Sequence, residues 1–365
     1  MKSTKDRILV CFLTPLSWVY GAVTGIRNWL FDNHVLKERE YDIPIVSVGN
    51  LTIGGTGKTP HVEYIVSNMA MQYKCAVLSR GYKRETKGFI LANSKSTPRQ
   101  IGDEPYQIYQ KFGNNVRVAV CESRRKGIEE LLKLFPDLEL IVLDDAFQHR
   151  WVKPKVSILL TDYERPFYKD KLLPLGRLRE SLLQVNRADM VVVTKCPDDL
   201  LPINFRITSK DLDLMKYQKL FFSRYDYGKL KPVFQDDAPY EASLSSLGPN
   251  DTVLLLTGIA HPRHFVRHFR NYPFRVKVYH FPDHHDFSRN DIDKIVQKFK
   301  SLQGERKIIV TTEKDAVRLM NNPYFPRSVK PFTFYLPVSV KMINGIDDHD
   351  FIEELKTSID SVPIQ

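Results

Sequence analysis

A glycine-rich loop between a predicted strand and a predicted helix constrains the fold of this chain more than any other feature. Residues 43–48 form a short apolar run rich in β-branched side chains, which is typical of a buried strand. After the loop, apolar side chains recur at the spacing of one helix face: Val62, Ile65, Val66 and Met69. Since the backbone N–H groups at such a helix N-terminus can surround a phosphate, the sequence predicts a nucleotide-binding α/β core.

The loop itself supplies the candidate nucleotide ligands. They are Thr52, Ile53, Gly54, Gly55, Thr56, Gly57, Lys58 and Thr59. In phosphate loops of this type the lysine reaches the β- and γ-phosphates, and the hydroxyl of the following residue binds Mg²⁺. Thr52 stands where the usual pattern has its first glycine, and the remaining glycines still allow the backbone to turn. We therefore predict a nucleoside triphosphate and Mg²⁺ as ligands; a glycine-rich turn without a ligand is the alternative.

Two adjacent carboxylates follow a second apolar strand, predicted at residues 138–143. They are Asp144 and Asp145. Open α/β sheets bind ligands at the carboxyl ends of their strands, and phosphate-loop proteins place an acidic residue there to face the metal. We therefore predict that one or both aspartates hold Mg²⁺. A solvated turn is the alternative, and the sequence does not distinguish between the two side chains.

Strands and helices alternate along the rest of the chain. Further apolar strands are predicted at residues 75–79, 116–120, 156–160, 190–193, 253–256, 307–310 and 332–336. This α/β alternation indicates a P-loop NTPase-like parallel sheet with helices on both faces and a second, smaller α/β lobe, joined by a β-rich connector. The predicted domains are an N-terminal membrane-associating segment at 1–40, the phosphate-loop core lobe at 41–216, the connector at 217–245 and the second lobe at 246–365.

The N-terminus combines basic and apolar residues. Three basic side chains precede an apolar stretch at residues 8–22, and Trp18, Tyr20 and Trp29 are interleaved with basic residues. The stretch contains Pro15 and is shorter than the ~20 residues that a membrane-spanning helix requires. The pattern favours an amphipathic helix that lies in a membrane interface. A helix docked on the core, and a cleaved signal peptide or membrane span, are the alternatives.

The net charge narrows the classes of partner. The 365 residues include 54 Lys and Arg against 43 Asp and Glu, so the formal net charge is +11. Such a charge suits nucleic acid, an anionic membrane or phosphorylated small molecules. A basic P-loop ATPase acting with nucleic acid is therefore an alternative, although we find no nucleic-acid-binding module and no stacking platform in the sequence. The four cysteines lack metal-binding spacing and indicate reduced thiols inside the cell.

An ordered set of motifs resembles the tetraacyldisaccharide 4′-kinase family over nearly the whole chain. It begins with the loop at 49–60, and it departs from the family at Ala146, where glycine usually follows the paired aspartates. The other matching segments are 78–82, 102–105, 144–149, 173–180, 257–260, 281–285 and 312–317. The resemblance implies a kinase that transfers the γ-phosphate of ATP to the 4′-hydroxyl of an acylated glucosamine disaccharide 1-phosphate in lipid A biosynthesis.

The resemblance also implies a location and partners. The enzyme is expected at the cytoplasmic face of the bacterial inner membrane, because the acyl chains of its substrate lie in the bilayer. The N-terminal helix would then attach it peripherally to the membrane surface. We expect the lipid substrate, ATP and Mg²⁺ as ligands, no nucleic acid as a partner, and a monomer.

Catalytic roles follow from the same resemblance. Asp103, in a Gly-Asp-Glu-Pro turn, matches the family's catalytic aspartate motif and is the predicted base for the sugar hydroxyl. His284 is the preferred side chain to orient this aspartate or tune its pKa, and His285 is the alternative. Such a pair would join the two lobes, so that closure assembles the site. The predicted catalytic residues are thus Asp103, His284 and Lys58, and the predicted metal ligands are Thr59, Asp144, Asp145 and Glu180.

Overall fold

The computed structural model describes residues 4–235, 243–283, 285–343 and 350–361, with side chains from residue 10 onward. The chain divides into two compact units. The first runs to Tyr225 and resumes at Val340, and the second is Asp226–Ser339. Each unit has its own sheet and its own apolar clusters, as separate α/β domains do.

Strands and helices alternate through most of the described residues. The strands are β1 (Ile45–Asn50), β2 (Cys75–Ser79), β3 (Ile90–Leu91), β4 (Arg117–Val120), β5 (Leu140–Asp144), β6 (Val156–Asp162), β7 (Met190–Thr194), β8 (Lys219–Tyr227), β9 (Lys231–Pro232), β10 (Thr252–Thr257), β11 (Arg275–His280), β12 (Lys307–Thr312), β13 (Thr333–Leu336) and β14 (Val338–Ile343). The α-helices are α1 (Thr4–Asp32), α2 (Lys58–Met69), α3 (Pro98–Ile101), α4 (Asp103–Phe112), α5 (Arg124–Leu134), α6 (Pro202–Leu212), α7 (Arg263–Phe269), α8 (Arg289–Lys300), α9 (Glu313–Met320) and α10 (Phe351–Asp360).

A nine-stranded, largely parallel sheet forms the centre of the first unit. Its order is β14-β8-β7-β6-β1-β5-β2-β4-β3. All neighbours from β8 to β4 are parallel, and β3 is antiparallel to β4. Strands β1, β2, β5, β6 and β7 are buried along their whole length, so both faces of the sheet are covered. The predicted parallel α/β fold is therefore confirmed.

Helix α2 buries the face that the sequence predicts. Val62, Ile65, Val66 and Met69 are all completely buried. They recur at the 3.6-residue period of an α-helix, so α2 packs one apolar stripe against the sheet beside β1 and β5. This packing fixes the position of the helix that follows the glycine-rich loop.

The second unit contains a smaller sheet in the order β11-β10-β12-β13-β9. The four longer strands are parallel, and β9 is antiparallel to β13. In β10, Val253 and Leu255 belong to one apolar cluster, whereas Leu254 and Leu256 belong to another. Because successive strand residues point to opposite faces, this sheet also has a core on each side.

The region predicted as a connector contributes to both sheets. Strand β8 extends the sheet of the first unit, and β9 pairs in the sheet of the second. Residues 236–242 lie outside the described residues. Helix α10 and the end of β14 belong to the first unit, whereas the second lobe was predicted at 246–365. Apolar periodicity identifies a strand but not its neighbours, since pairing depends on residues distant in sequence. The domain boundaries stay predictions.

Helix α1 lies with one side on the first unit and leaves an apolar side exposed. The Tyr20 hydroxyl donates to the Arg179 carbonyl at 2.8 Å, and the Ser17 hydroxyl donates to the Leu172 carbonyl at 3.0 Å. The apolar side chains that are more than half exposed are Phe12, Leu16, Trp18, Val19, Val23, Ile26 and Trp29. Among the described residues, no helix is both long and apolar enough to cross a bilayer.

Candidate active site

The phosphate loop and the paired aspartates lie side by side because β1 and β5 are neighbours. The two strands are parallel, and Val48 pairs with Asp144. The glycine-rich loop leaves the carboxyl end of β1, and Asp145 follows the carboxyl end of β5. Both sets of candidate ligands therefore lie at the edge where open α/β sheets bind their ligands.

Close approaches require glycine at two positions around the loop. A Cβ at Gly49 would lie 2.6 Å from Cβ of Phe147, so only glycine lets β1 approach the segment after β5. Gly57 is the N-cap of α2 with φ of 90°, and a Cβ there would lie 2.7 Å from the Tyr225 hydroxyl. This left-handed residue turns the chain into α2, so that Lys58 begins the helix.

Asn50, at the end of β1, organises the loop from within. Its side chain is completely buried. Its Nδ2 donates to the Thr52 carbonyl and to Oγ1 of Thr56, both at 2.8 Å. Its Oδ1 accepts a hydrogen bond from Nζ of Lys58 at 3.3 Å. This role was not predicted from the sequence, although a polar side chain at the end of a buried apolar strand needs hydrogen-bond partners and is a signal for such a role.

The first loop residues pair with the segment around Arg177. The Ile53 N–H donates to the Arg177 carbonyl at 2.8 Å, and the Arg179 N–H donates to the Leu51 carbonyl at 2.7 Å. Thr52 is buried in this pairing, whereas Ile53 is exposed. The loop is therefore anchored at its start, and the glycines that follow, Gly54 and Gly55, remain accessible to solvent.

Lys58 points at the aspartate pair. Its Nζ lies 3.5 Å from Oδ1 of Asp145, and Nη1 of Arg179 donates to the same oxygen at 3.0 Å. Burial acts in the opposite direction, but the charges of Lys58 and Arg179 hold the pKa of Asp145 below its ordinary value. Asp145 is therefore ionised at neutral pH. Arg179 belongs to a motif of the resemblance, and its contact with Asp145 was not anticipated.

Asp144 is a buried carboxylate with one oxygen left unsatisfied. The residue is 4% exposed, and its Oδ1 has no hydrogen-bond partner. Burial, followed by the charges of Asp145 and Glu104, raises the pKa of Asp144 to about 7. Arg124 donates to the backbone carbonyl of Asp144 at 2.9 Å, not to its side chain. A cation bound at the unsatisfied oxygen would stabilise the buried negative charge of Asp144.

The two aspartates fit a magnesium ion that also binds phosphate oxygens. No group of three or more His, Cys, Asp or Glu side chains in the described part of the chain could hold a metal. Mg²⁺ does not require one, since it usually retains waters and takes one or two carboxylates plus substrate phosphates. Thr59 is half-buried in the first turn of α2, beside Lys58. Its role and those of Asp144 and Asp145 as metal ligands stay predictions.

Asp103 begins a helix that packs against the helix of the phosphate loop. It is the first residue of α4 and follows Gly102, whose φ is 92°. Nε2 of Gln107, one turn on, donates to Oε1 of Glu63 in α2 at 2.8 Å. The neighbouring Glu104 is close enough for its charge to raise the pKa of Asp144. The start of α4 is thus within electrostatic range of Asp144, and the role of Asp103 as a base stays a prediction.

The histidine predicted to assist Asp103 is His284, which lies outside the described residues. The alternative, His285, is described in the second unit. Its Nε2 lies 3.0 Å from Oδ2 of Asp291, and its ring stacks on Phe281 with the centroids 4.8 Å apart. Pairing of Asp103 with either histidine stays a prediction.

Glu180 lies in a group of ion pairs beneath α1. Its side chain is 1% exposed. Oε2 accepts from Arg187 at 2.6 Å, and Oε1 lies 3.6 Å from Arg27 and accepts from Asn28 at 3.3 Å. Each carboxylate oxygen therefore has a protein partner. These contacts favour a role in attaching α1, and the prediction that Glu180 binds Mg²⁺ stays untested.

Comparisons with known proteins agree on one family. A family model described as Tetraacyldisaccharide-1-P 4′-kinase matches residues 9–360. A relative from Bacteroides thetaiotaomicron, named tetraacyldisaccharide 4′-kinase, is 48% identical over 344 residues, covering 92% of this chain and 90% of the relative. A relative of the same name from Parabacteroides distasonis is 49% identical over 330 residues, covering 90% and 89%.

A solved structure is similar over the same extent. The crystal structure of the "apo" form of LpxK from Aquifex aeolicus in complex with ATP aligns with a TM-score of 0.71 and 29% sequence identity. The alignment covers 96% of this chain and 98% of that chain. The structural similarity thus extends over nearly the whole chain.

Proposed function

This chain belongs to the tetraacyldisaccharide-1-P 4′-kinase family, and we propose that it transfers the γ-phosphate of ATP to the 4′-hydroxyl of an acylated glucosamine disaccharide 1-phosphate. The observation that carries the proposal is the contact of Lys58 with Asp145 beside the unsatisfied oxygen of Asp144. A cation and two carboxylates at the end of a phosphate loop are the groups that phosphoryl transfer requires. The chain is therefore a kinase that acts on an alcohol group.

The loop and the residues beside it have complementary roles in this reaction. Loop N–H groups and the N-terminus of α2 bind the phosphates. Lys58 moves from Asp145 towards the γ-phosphate as ATP enters, because both groups compete for its ammonium. Asp144 and Asp145, with the Thr59 hydroxyl, would hold Mg²⁺, which would supply positive charge to neutralise the phosphates.

Asp103 accepts the proton of the sugar hydroxyl in this proposal. Its position at the start of α4, next to Glu104, supports the assignment. The helix dipole favours a negative charge at the N-terminus of α4, where Asp103 lies. His284 would orient Asp103 when the substrate is bound.

Helix α1 attaches the enzyme peripherally to the cytoplasmic face of the inner membrane in this proposal. Phe12, Leu16, Val19, Val23 and Ile26 are spaced by three and four residues, so they form one exposed stripe. An exposed apolar stripe of this length is suited to the interface between lipid headgroups and acyl chains. The acyl chains of the substrate are in the same layer, and ATP is available on the cytoplasmic side. We propose a monomer as the working unit.

Vesicle flotation tests the membrane assignment. We expect the wild-type chain to float with vesicles containing anionic lipid. The double variant Leu16→Glu/Val23→Glu should remain in the soluble fraction. The matched control is Ile203→Glu/Ile207→Glu, which changes two exposed apolar residues of α6 and should float like wild type. Equal flotation of all three proteins would refute the role of α1.

Transfer of radiolabel from ATP to a micellar acylated disaccharide 1-phosphate tests the reaction. We expect Lys58→Met to lower the rate at least about 100-fold, since an electrostatic partner of the transferred phosphate is lost. Lys153→Met is the control, because that lysine forms only an exposed ion pair with Glu40. The proposal fails if a wild-type chain that binds ATP transfers no label, or if Lys58→Met retains the full rate.

A further inference from the structure

Two consecutive carbonyl groups of the phosphate loop are held from behind by the end of β7. Oγ1 of Thr194 donates to the Thr56 carbonyl at 2.8 Å. Nζ of Lys195 donates to the Gly55 carbonyl. Both side chains are almost completely buried, and about 140 residues separate them from the loop. The end of β7 therefore reaches the loop on the side opposite to bulk solvent.

His61 extends this support to the next carbonyl of the loop. Its Nδ1 lies 2.7 Å from the Gly57 carbonyl, and its Nε2 lies 2.9 Å from the hydroxyl of Ser223. Burial lowers the pKa of His61 to about 4, so the ring is neutral at physiological pH. A carbonyl can only accept, so Nδ1 carries the proton and the Ser223 hydroxyl donates to Nε2.

The anchored carbonyls fix where the loop N–H groups point. The carbonyl and the N–H of a trans peptide point in opposite directions. Holding the carbonyls of Thr56 and Gly57 on the protein side therefore turns the N–H groups of Gly57 and Lys58 away from it. Phosphate loops bind anions with N–H groups oriented in this way.

Lys195 is itself held in one position. Its Nζ donates to Oδ2 of Asp162 at 2.7 Å. The other oxygen of Asp162 accepts from the backbone N–H groups of Glu164 at 3.0 Å and Arg165 at 3.2 Å. Lys195 also has φ of 58°, a left-handed conformation that a side chain with Cβ adopts at a cost. The contacts of the Lys195 ammonium therefore coincide with an unfavourable backbone conformation at the same residue.

A lysine after a strand could instead contact the nucleotide base. Here the side chain of Lys195 is 5% exposed, and its ammonium already binds both Asp162 and the Gly55 carbonyl. It is not available to a base from this position. Its contacts are with the backbone of the loop that receives the phosphates.

We propose that Lys195 is a positioning residue for the transfer reaction, which fixes the Gly55 carbonyl and so sets the phosphate loop before ATP arrives. Thr194 acts with it through the Thr56 carbonyl, and Asp162 fixes the ammonium. The inference rests on the proposed kinase function for its kinetic readout. Preorganisation of the loop lowers the entropic cost of binding ATP. Loss of Lys195 should therefore affect ATP and not the lipid acceptor.

The test compares Lys195→Met with Thr194→Val in the full chain. Thr194→Val has nearly the same shape and removes no charge, so it remains informative if Lys195→Met does not fold. We expect Lys195→Met to raise KM for ATP at least 10-fold while KM for the acylated disaccharide 1-phosphate stays within twofold. Thr194→Val should change KM for ATP in the same direction by a smaller factor. Lys153→Met is the matched control and should retain both constants.

Calorimetric titration with ATP separates this inference from the function it rests on. The titration needs no acceptor, so it reports on the loop even if the wild-type chain transfers no phosphate. The expected result is ATP affinity weakened at least 10-fold in Lys195→Met. A folded Lys195→Met or Thr194→Val that binds ATP within twofold of wild type would overturn the proposal. An equal rise in both KM values would also overturn it, since that is the result of general destabilisation.

Discussion

Nζ of Lys58 lies 3.5 Å from Oδ1 of Asp145, and the backbone of Asp145 is left-handed with φ of 47°. Arg179 contacts the same carboxylate oxygen at 3.0 Å. One ionised aspartate thus holds two cations whose charges would otherwise repel each other. In the proposed reaction the γ-phosphate replaces this carboxylate oxygen as the partner of the cations. Asp145 would then keep both cations in place until the nucleotide binds.

Replacing Asp145 with asparagine should lower kcat/KM for ATP about 100-fold. The amide keeps the shape of the side chain but loses the charge that aligns Lys58 and Arg179 and that would support Mg²⁺ in the proposed reaction. Steady-state kinetics with varied ATP checks this. Asp137→Asn is the control, because Asp137 pairs with Lys74 at the exposed surface and should be dispensable. Activity of Asp145→Asn within threefold of wild type would contradict the assignment.

Replacing Asp144 with asparagine should separate stability from activity. The wild-type carboxylate is buried with an unsatisfied oxygen, so removing its charge should raise the unfolding temperature in the absence of ligand by a few degrees. Activity should fall about 100-fold, because a proposed metal ligand is lost. Thermal unfolding with and without MgATP measures both effects. We expect the upward shift that MgATP gives to wild type to be nearly absent in the variant. A variant that is less stable and fully stabilised by MgATP would refute this role.

Replacing Asn50 with aspartate tests the organisation of the loop. The carboxylate retains the acceptor for Lys58 but loses the two donated hydrogen bonds at 2.8 Å to the Thr52 carbonyl and Oγ1 of Thr56. The Thr52 carbonyl then faces an anion and the Thr56 hydroxyl must reorient to donate to it, which we expect to raise KM for ATP about 10-fold or more. KM for the acceptor should remain unchanged. Asn33→Asp is the control, since Asn33 makes only an exposed bond within the end of α1.

His61 should make the fold less stable in acid. Burial lowers its folded pKa to about 4, whereas an unfolded histidine titrates near 6.5. The unfolded state therefore binds the proton first, and stability is lost as the pH falls from 6.5 towards 4. The loss amounts to roughly 3 kcal/mol. Urea unfolding of wild type and His61→Gln at pH 7 and pH 4.5 checks this.

The variant should be clearly less stable than wild type at pH 7, and the gap should narrow at pH 4.5. His34→Asn is the matched control, because His34 is exposed and asparagine tolerates its left-handed conformation. A gap between wild type and His61→Gln that is the same at both pH values would show that His61 is not buried in its neutral form.

The parallel core was predictable because its signals are local. The strand Cys75–Ser79 has the predicted bounds, and the stripe from Val62 to Met69 is buried as its period indicates. Strand β8 shows the limit. Phe221 and Phe222 indicate an extended segment, but only their contacts with the first unit place them in its sheet. Which sheet a strand joins depends on tertiary contacts, so the periodicity of the segment does not predict it.

In the candidate site, too, local features were predictable from the sequence and tertiary contacts were not. Lys58 and the aspartates were predictable because a strand–loop–helix unit and a neighbouring strand end impose their positions. The contact of Lys195 with the loop was not predictable, since 140 residues separate Lys195 from Gly55. Its left-handed backbone is also not indicated by the sequence. The contacts of Glu180 with Arg27 and Asn28 likewise depend on where α1 docks.

The docking of α1 links attachment to chemistry. Tyr20 binds the carbonyl of Arg179, the residue whose side chain contacts Asp145 and whose N–H binds the loop at Leu51. One residue, Arg179, therefore connects α1 with both the aspartate and the start of the loop. Deleting this helix would do more than detach the enzyme from a membrane. It would also remove a contact that supports the candidate site. Inactivity of such a chain would therefore be no measure of its membrane affinity.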